Sequence, residues 1–320
     1  MNAFFHIFLF ILILFIYIHI THQYKTSEDM EIFEMDYQSN THLQEVCNIK
    51  QPVLFHYKSI HPDFFNKLDN EHLDILDSYD VKVKDIRDYY TEDPVIDYTV
   101  MPFRSAETLM TTDTKSSYFI ENNHNTIDEA GLLKTFQTND EYFKPPFTMS
   151  TQYDILSGSK NVCTPLKYHT NEKMFLCVIT GKITIKMTPW KSTKYLYQNK
   201  DYDMYEFWSP VNLWKPQRKY SHEMDKIRFL EFEVNSGYVV NIPPYWWYSI
   251  KFDNNPETFV TNFTYNSVMN CLANLPDTCL YFMQQQNINK HISKPITALD
   301  SAHNTQQLEE ETSNEETNDN

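Results

Sequence analysis

A chain of 320 residues with 41% hydrophobic and 15% aromatic residues holds enough apolar material for one large packed domain. Its 4 glycines exclude a glycine-rich phosphate cradle. The formal net charge of -16 argues against a nucleic-acid partner, because phosphates are neutralised chiefly by Lys and Arg.

The 5 cysteines are odd in number and form no CxxC, so neither a zinc ribbon nor a disulfide framework is indicated. Cys163 and Cys177 lie in or beside strand-like runs and read as buried thiols, while a Cys271–Cys279 bridge stays open. HExxH, GxSxG and the zinc-deaminase pairing of HxE with PCxxC do not occur.

No charged side chain precedes Lys25, and the run Ala3–Ile20 is almost wholly apolar. At about 1.5 Å per residue such a helix spans most of a hydrocarbon core of about 30 Å. The basic start and small-residue cleavage site of a secretory signal are missing, so residues 1–24 are expected to be a retained single-pass transmembrane anchor. Lys25 alone sets no orientation. Residues 25–46 read as a polar stalk or short helix.

From Cys47 the pattern changes. Cys47–Tyr57 predicts an opening strand and His61–Leu76 a helix. Asp80–Asp88, in which apolar and charged residues alternate, predicts a strand with one wet face. Tyr118–Glu121 predicts a strand and Thr126–Phe136 a helix. Beyond Tyr153 comes a series of short strands separated by turn signals, with Met174–Ile179 and Ile183–Met187 expected to form a hairpin around Gly181. Asn262–Met283 reads as strand then helix. Residues 293–320 are acidic, poor in apolar side chains and expected to be disordered.

The segment GYVVNIPPYWWYSIKF, Gly237–Phe252, reads as strand, tight turn and strand. Its Gly237 and Pro243 hold the spacing of the second cupin-barrel signature. Tyr245 stands at the turn glycine of that signature and Tyr248 at its metal-binding histidine. With Pro52–Phe55, Thr164–His169 and Val178–Lys182, this segment makes the stretch from Cys47 to Phe282 similar to the JmjC-like, or cupin-like, domains of Fe(II)/2-oxoglutarate oxygenases. The run through Ser249 and Ile250 resembles most the cupin-like proteins encoded by large DNA viruses.

The resemblance implies a mainly β fold: a double-stranded β-helix (cupin or jelly-roll barrel) with flanking helices over residues 47–292, plus the one N-terminal transmembrane helix. Active members of the family hold Fe(II) with His-x-Asp/Glu on one strand and a second His on a later one. Aligned on Thr164-Pro165-Leu166, Lys167 replaces the first histidine and His169 the carboxylate. Aligned backwards from Gly181, Tyr168 and Thr170 take those places. Many members carry a 2-oxoglutarate-binding lysine where this chain has Ile183.

The reading is therefore a membrane-anchored, non-catalytic protein with a degenerate metal site, no cofactor and no nucleic-acid partner. It would bind a ligand or protein partner in a virion or host internal membrane. Thr164, Lys167, Tyr168, His169, Lys182, Trp246 and Tyr248 are the candidate pocket residues. The alternative is an Fe(II)/2-oxoglutarate-dependent hydroxylase or demethylase-like enzyme with a rearranged site on His169, Glu172 and His222.

Overall fold

The structure is a computed structural model and describes residues 2–68, 73–91, 94, 96–253 and 258–286. The tail expected to be disordered lies outside the described residues. The first half of the chain runs α1 (Asn2–Gln23), β1 (Phe33–Glu34), α2 (Asn40–Cys47), β2 (Val53–His56), α3 (Pro62–Lys67), β3 (Asp80–Asp85), β4 (Tyr98–Pro102), α4 (Phe103–Thr112), β5 (Tyr118–Ile120), α5 (His124–Glu129), α6 (Leu133–Gln137), α7 (Asp140–Phe143) and β6 (Thr148–Gly158). The second half adds β7 (Leu166–Tyr168), β8 (Lys173–Thr180), β9 (Lys182–Thr188), β10 (Asn199–Asp201), β11 (Glu206–Ser209), α8 (Ser221–Met224), β12 (Leu230–Asn235), β13 (Tyr238–Asn241), β14 (Trp247–Phe252), β15 (Phe259–Ser267), α9 (Val268–Ala273) and α10 (Leu275–Gln286).

Two sheets result. One has nine strands in the order β1-β2-β13-β8-β15-β6-β5-β3-β4, the other six in the order β10-β11-β7-β14-β9-β12. Their facing sides share one apolar interior. Leu176, Val178, Val240 and Val260 come from the large sheet, and Ile183, Ile185, Met187, Ile250 and Phe252 from the small one. A second core, with Phe55, Phe64, Phe136, Phe143, Phe175 and Phe263, lies where the helices cover the back of the large sheet. The mainly β reading with flanking helices thus holds, as does the single long apolar helix at the N-terminus.

Gly181 corrects one expectation. β8 belongs to the large sheet and β9 to the small one, so the segment is a corner between sheets rather than a hairpin. Its φ of +72° suits glycine. A Cβ there would also lie 2.3 Å from Thr258 Oγ1 and 2.8 Å from Thr258 Cα, so any side chain forces the backbone apart.

Other departures are local. The helix expected over His61–Leu76 ends at Lys67, with a separate 3-10 turn at Leu73–Leu76. Thr126–Phe136 is split into α5 and α6 around Gly131, whose φ is +71°. The segment read as a stalk contributes Leu43 and Val46 of α2 to the helix-side core. All five cysteines are free, Cys271 and Cys279 included.

Candidate functional site

β13 and β14 frame the place where the metal ligands of the resembled family would converge. β13 lies in the large sheet between β2 and β8, and the chain then crosses to β14 in the small sheet. Tyr245 takes the left-handed conformation at the turn, φ +63°, as the turn-glycine position demands. A non-glycine residue there costs about 1–2 kcal/mol. Ring contacts with Trp190 at 5.5 Å and Tyr168 at 6.3 Å offset part of that cost.

Across the small sheet Tyr248 is the direct register partner of Lys167 on β7. The Lys167 ammonium lies 6.0 Å from the centroid of the Tyr248 ring. His169 follows on the same chain, its ring 6.1 Å from that of Tyr248. In the register aligned on Thr164-Pro165-Leu166, the three positions that resemble the family's ligand sites lie close together and hold lysine, histidine and tyrosine.

What surrounds Lys167 is a buried ion-pair network joining the two sheets. Its ammonium pairs with Glu121, at the end of β5. Glu121 also pairs at 3.0 Å with Lys84 of β3, which is fully buried, and Lys84 pairs in turn with Glu206 of β11. Glu206 accepts hydrogen bonds from the Tyr89 hydroxyl at 3.0 Å and the Asn122 amide at 2.7 Å. Two ammoniums and two carboxylates balance, which is the condition under which buried charges are tolerated.

The electrostatics agree with that pairing. Burial opposes the Lys167 ammonium, but Glu121 outweighs it and holds the group above the ordinary lysine range. Lys84 behaves likewise under Glu206 and Glu121. Burial alone would raise Glu121, yet Lys167 and Lys84 pull it down to about 2. Burial pushes Tyr248 up to about 12, partly countered by Lys167. Both lysines and Glu121 are therefore charged at neutral pH and Tyr248 is a neutral phenol.

This donor set does not fit Fe(II). A cationic ammonium held by its own carboxylate repels a metal ion, and a neutral phenol is a poor ligand beside imidazole or carboxylate. No group of three or more His, Cys, Asp or Glu able to hold a metal occurs among the described residues. The rearranged set is dispersed. His169 is buried and donates from Nε2 to the Ile242 carbonyl at 3.0 Å. Glu172 accepts from the Ser267 amide at 3.1 Å, and His222 sits exposed on α8.

The remaining candidates are structural in their contacts. Thr164 Oγ1 accepts from the Ile250 amide at 2.9 Å and its carbonyl accepts from the Ser249 hydroxyl at 2.6 Å, which ties the loop before β7 to β14. Tyr168 faces the other side of the small sheet, stacked on Phe207 at 5.1 Å and bonded to Gln198. Trp246 is fully buried and donates to the Lys50 carbonyl at 3.1 Å. Lys182 lies on the outer face beside Glu233 at 3.1 Å, because Ile183 takes the interior position. A cavity of about 340 Å³ lies elsewhere, against α5, α6, α7 and β6, and is lined by Asp128, Gln137, Asp140 and Lys144 among others.

The sequence reading missed Lys84, Glu121 and Glu206. Lys84 sits in the alternating run read as a strand with one wet face; Asp80 on that face is exposed and Lys82 half-buried, but Lys84 is buried. The available signal was a charged residue beside the apolar runs Tyr118–Ile120 and Phe207–Trp208. Nothing local tells a buried ion pair from a solvated charge.

His169 yields a pH-dependent expectation. Burial lowers it to about 4 from 6.5, against the Ile242 carbonyl, which raises it. A depressed histidine contributes its stability fully above 6.5 and loses it as pH falls toward 4. That amounts to about 2 kcal/mol between pH 7 and pH 5. Asp154 works the other way. Burial raises it to about 6 despite three backbone N–H donors, so its contribution is present below 3.8 and lost as pH rises through 6. His169→Gln keeps a donor for Ile242. Urea midpoints of variant and wild type at pH 7 and pH 5 isolate His169, with the gap closing at pH 5; a constant gap refutes the burial argument.

A profile of the cupin-like domain family matches residues 39–271, more than half of the chain. JmjC domain-containing protein D of Dictyostelium discoideum is 29% identical over 94 residues, which is 29% of this chain and 21% of that protein. The chain thus spans about a fifth of the length of the curated relative it matches.

Proposed function

The chain belongs to the cupin-like domain family, and from that premise we propose that it is a non-catalytic member, anchored to a membrane by α1, whose barrel serves as a rigid platform for a ligand or protein partner. The observation that carries this reading is the Lys167–Glu121 pair at the first metal-ligand position, directly opposite Tyr248. Oxygenase chemistry on this scaffold needs a cation at that place, and the protein supplies its own instead. Ile183, buried at the position of the co-substrate lysine, removes the second requirement.

Support for the anchor comes from α1. Its span Phe4–Gln23 has a mean hydropathy of 2.4, and none of its most apolar window is buried against the domain. A helix apolar on every side and left uncovered is a costly object in water and an ordinary one in a bilayer. The resemblance to viral cupin-like proteins extends the reading to a virion or host internal membrane.

The test is a calorimetric titration of the full chain in detergent with Fe(II), with and without 2-oxoglutarate. Heat no greater than the detergent blank supports the reading. Stoichiometric binding that is lost in His169→Ala overturns it and restores the oxygenase alternative.

A further inference from the structure

Beyond tethering, we propose that the domain rests one face on the lipid surface, through an apolar patch formed by Phe147, Met149, Val268, Leu272 and Leu275. This rests on the anchor reading of α1.

Val268 and Leu272 lie one turn apart on the same face of α9, and Leu275 opens α10 directly after the Asn274 turn. Each is 41–50% exposed. The Phe147 carbonyl accepts from the Val268 amide at 3.3 Å, which sets Phe147 and, two residues on, Met149 beside Val268. These two are 86% and 68% exposed, unusually bare for side chains of their size. An apolar patch of this kind, with no charged residue among its members, marks a contact surface.

The position of α1 identifies the occupant. The last turn of α1 is docked on α9. Asn270 donates to the Gln23 side chain at 3.4 Å, and the Tyr24 hydroxyl donates to the Ala273 carbonyl. The Tyr24 ring also lies 6.1 Å from that of Tyr245. The end of the span is therefore fixed to the same short helix that carries Val268 and Leu272. A bilayer that takes in Phe4–Gln23 brings its interface to α9, at the depth where aromatic and aliphatic side chains partition best.

The experiment uses the full chain in phosphatidylcholine vesicles, with the photoreactive residue p-benzoyl-phenylalanine placed singly at four positions: Leu12 within the span, Phe147 and Leu272 in the patch, and Val100 on the edge strand β4. Lipid adducts identified by mass are expected at Leu12, Phe147 and Leu272 and lost at Val100. Adducts at Leu12 alone overturn the surface contact and leave the anchor standing. Their loss at Leu12 as well overturns both. Adducts from Phe147 or Leu272 to a second copy of the chain overturn the lipid contact in favour of self-association.

Discussion

Glu121→Gln is expected to destabilise the protein by about 3–5 kcal/mol, the cost of stranding a buried charge. The substitution keeps the shape of the side chain and removes the carboxylate that Lys84 and Lys167 share. Lys84 retains Glu206, whereas Lys167 loses the one carboxylate it pairs with among the described residues and keeps only the more distant influence of Glu206. Urea denaturation of the full chain in detergent measures the effect. Glu233→Gln provides the contrast: it breaks the solvent-exposed Lys182 pair and should leave the urea midpoint close to that of wild type. The double variant Glu121→Gln with Lys167→Met should recover part of the loss, because removing both partners leaves less charge without a counterion. A Glu121→Gln midpoint within the scatter of the Glu233→Gln midpoint would mean that water reaches the network.

Trp246→Ala is expected to cost a similar amount, about 3–5 kcal/mol, for a different reason. The side chain is fully buried within the barrel interior, and its indole N–H ties the turn to the Lys50 carbonyl. Truncation opens a cavity and leaves that carbonyl without its donor. A ligand-lining role, which the sequence also allowed, predicts a small stability change and a lost binding site. Thermal unfolding of the variant, with and without indole added to refill the space, separates the two. A marked loss of stability that indole partly restores identifies packing; a melting temperature unchanged from wild type refutes it.

The turn from Gly237 to Tyr248 was legible because its signals are local. Gly237 has φ +91° and Tyr245 φ +63°, both at the glycine positions of the signature, and the structure adds that Tyr248 falls opposite Lys167. The Gly181 corner was half legible. Glycine announces a turn, yet a turn within one sheet and a turn between two sheets have the same local chemistry, and the pairing of β8 with β15 and of β9 with β12 and β14 decides between them. The network was not legible. Lys84, Glu121 and Glu206 acquire their meaning from partners 37 and 122 residues apart in sequence, and period-2 alternation says only which face a residue takes. The helix Phe103–Thr112 was passed over altogether, for a physical reason. Pro102 at its N-cap supplies no capping side chain, so the start signal is missing, although Phe103, Ala106 and Met110 do carry the helical spacing of a buried stripe.

The path of the chain through the two sheets has a consequence for biosynthesis. β15 lies between β6 and β8 in the large sheet and pairs with both along most of its length. Until Phe259–Ser267 has left the ribosome, both neighbours present open edges and the barrel cannot close. α1 precedes β15 by some 240 residues of synthesis, and under the proposed anchoring it would engage a membrane that much earlier. At about 5–20 residues per second that interval is roughly 10–50 seconds. Under the proposed anchoring by α1, an unfinished, strand-rich chain would be tethered beside the bilayer during it, which would keep nascent copies from diffusing freely into one another.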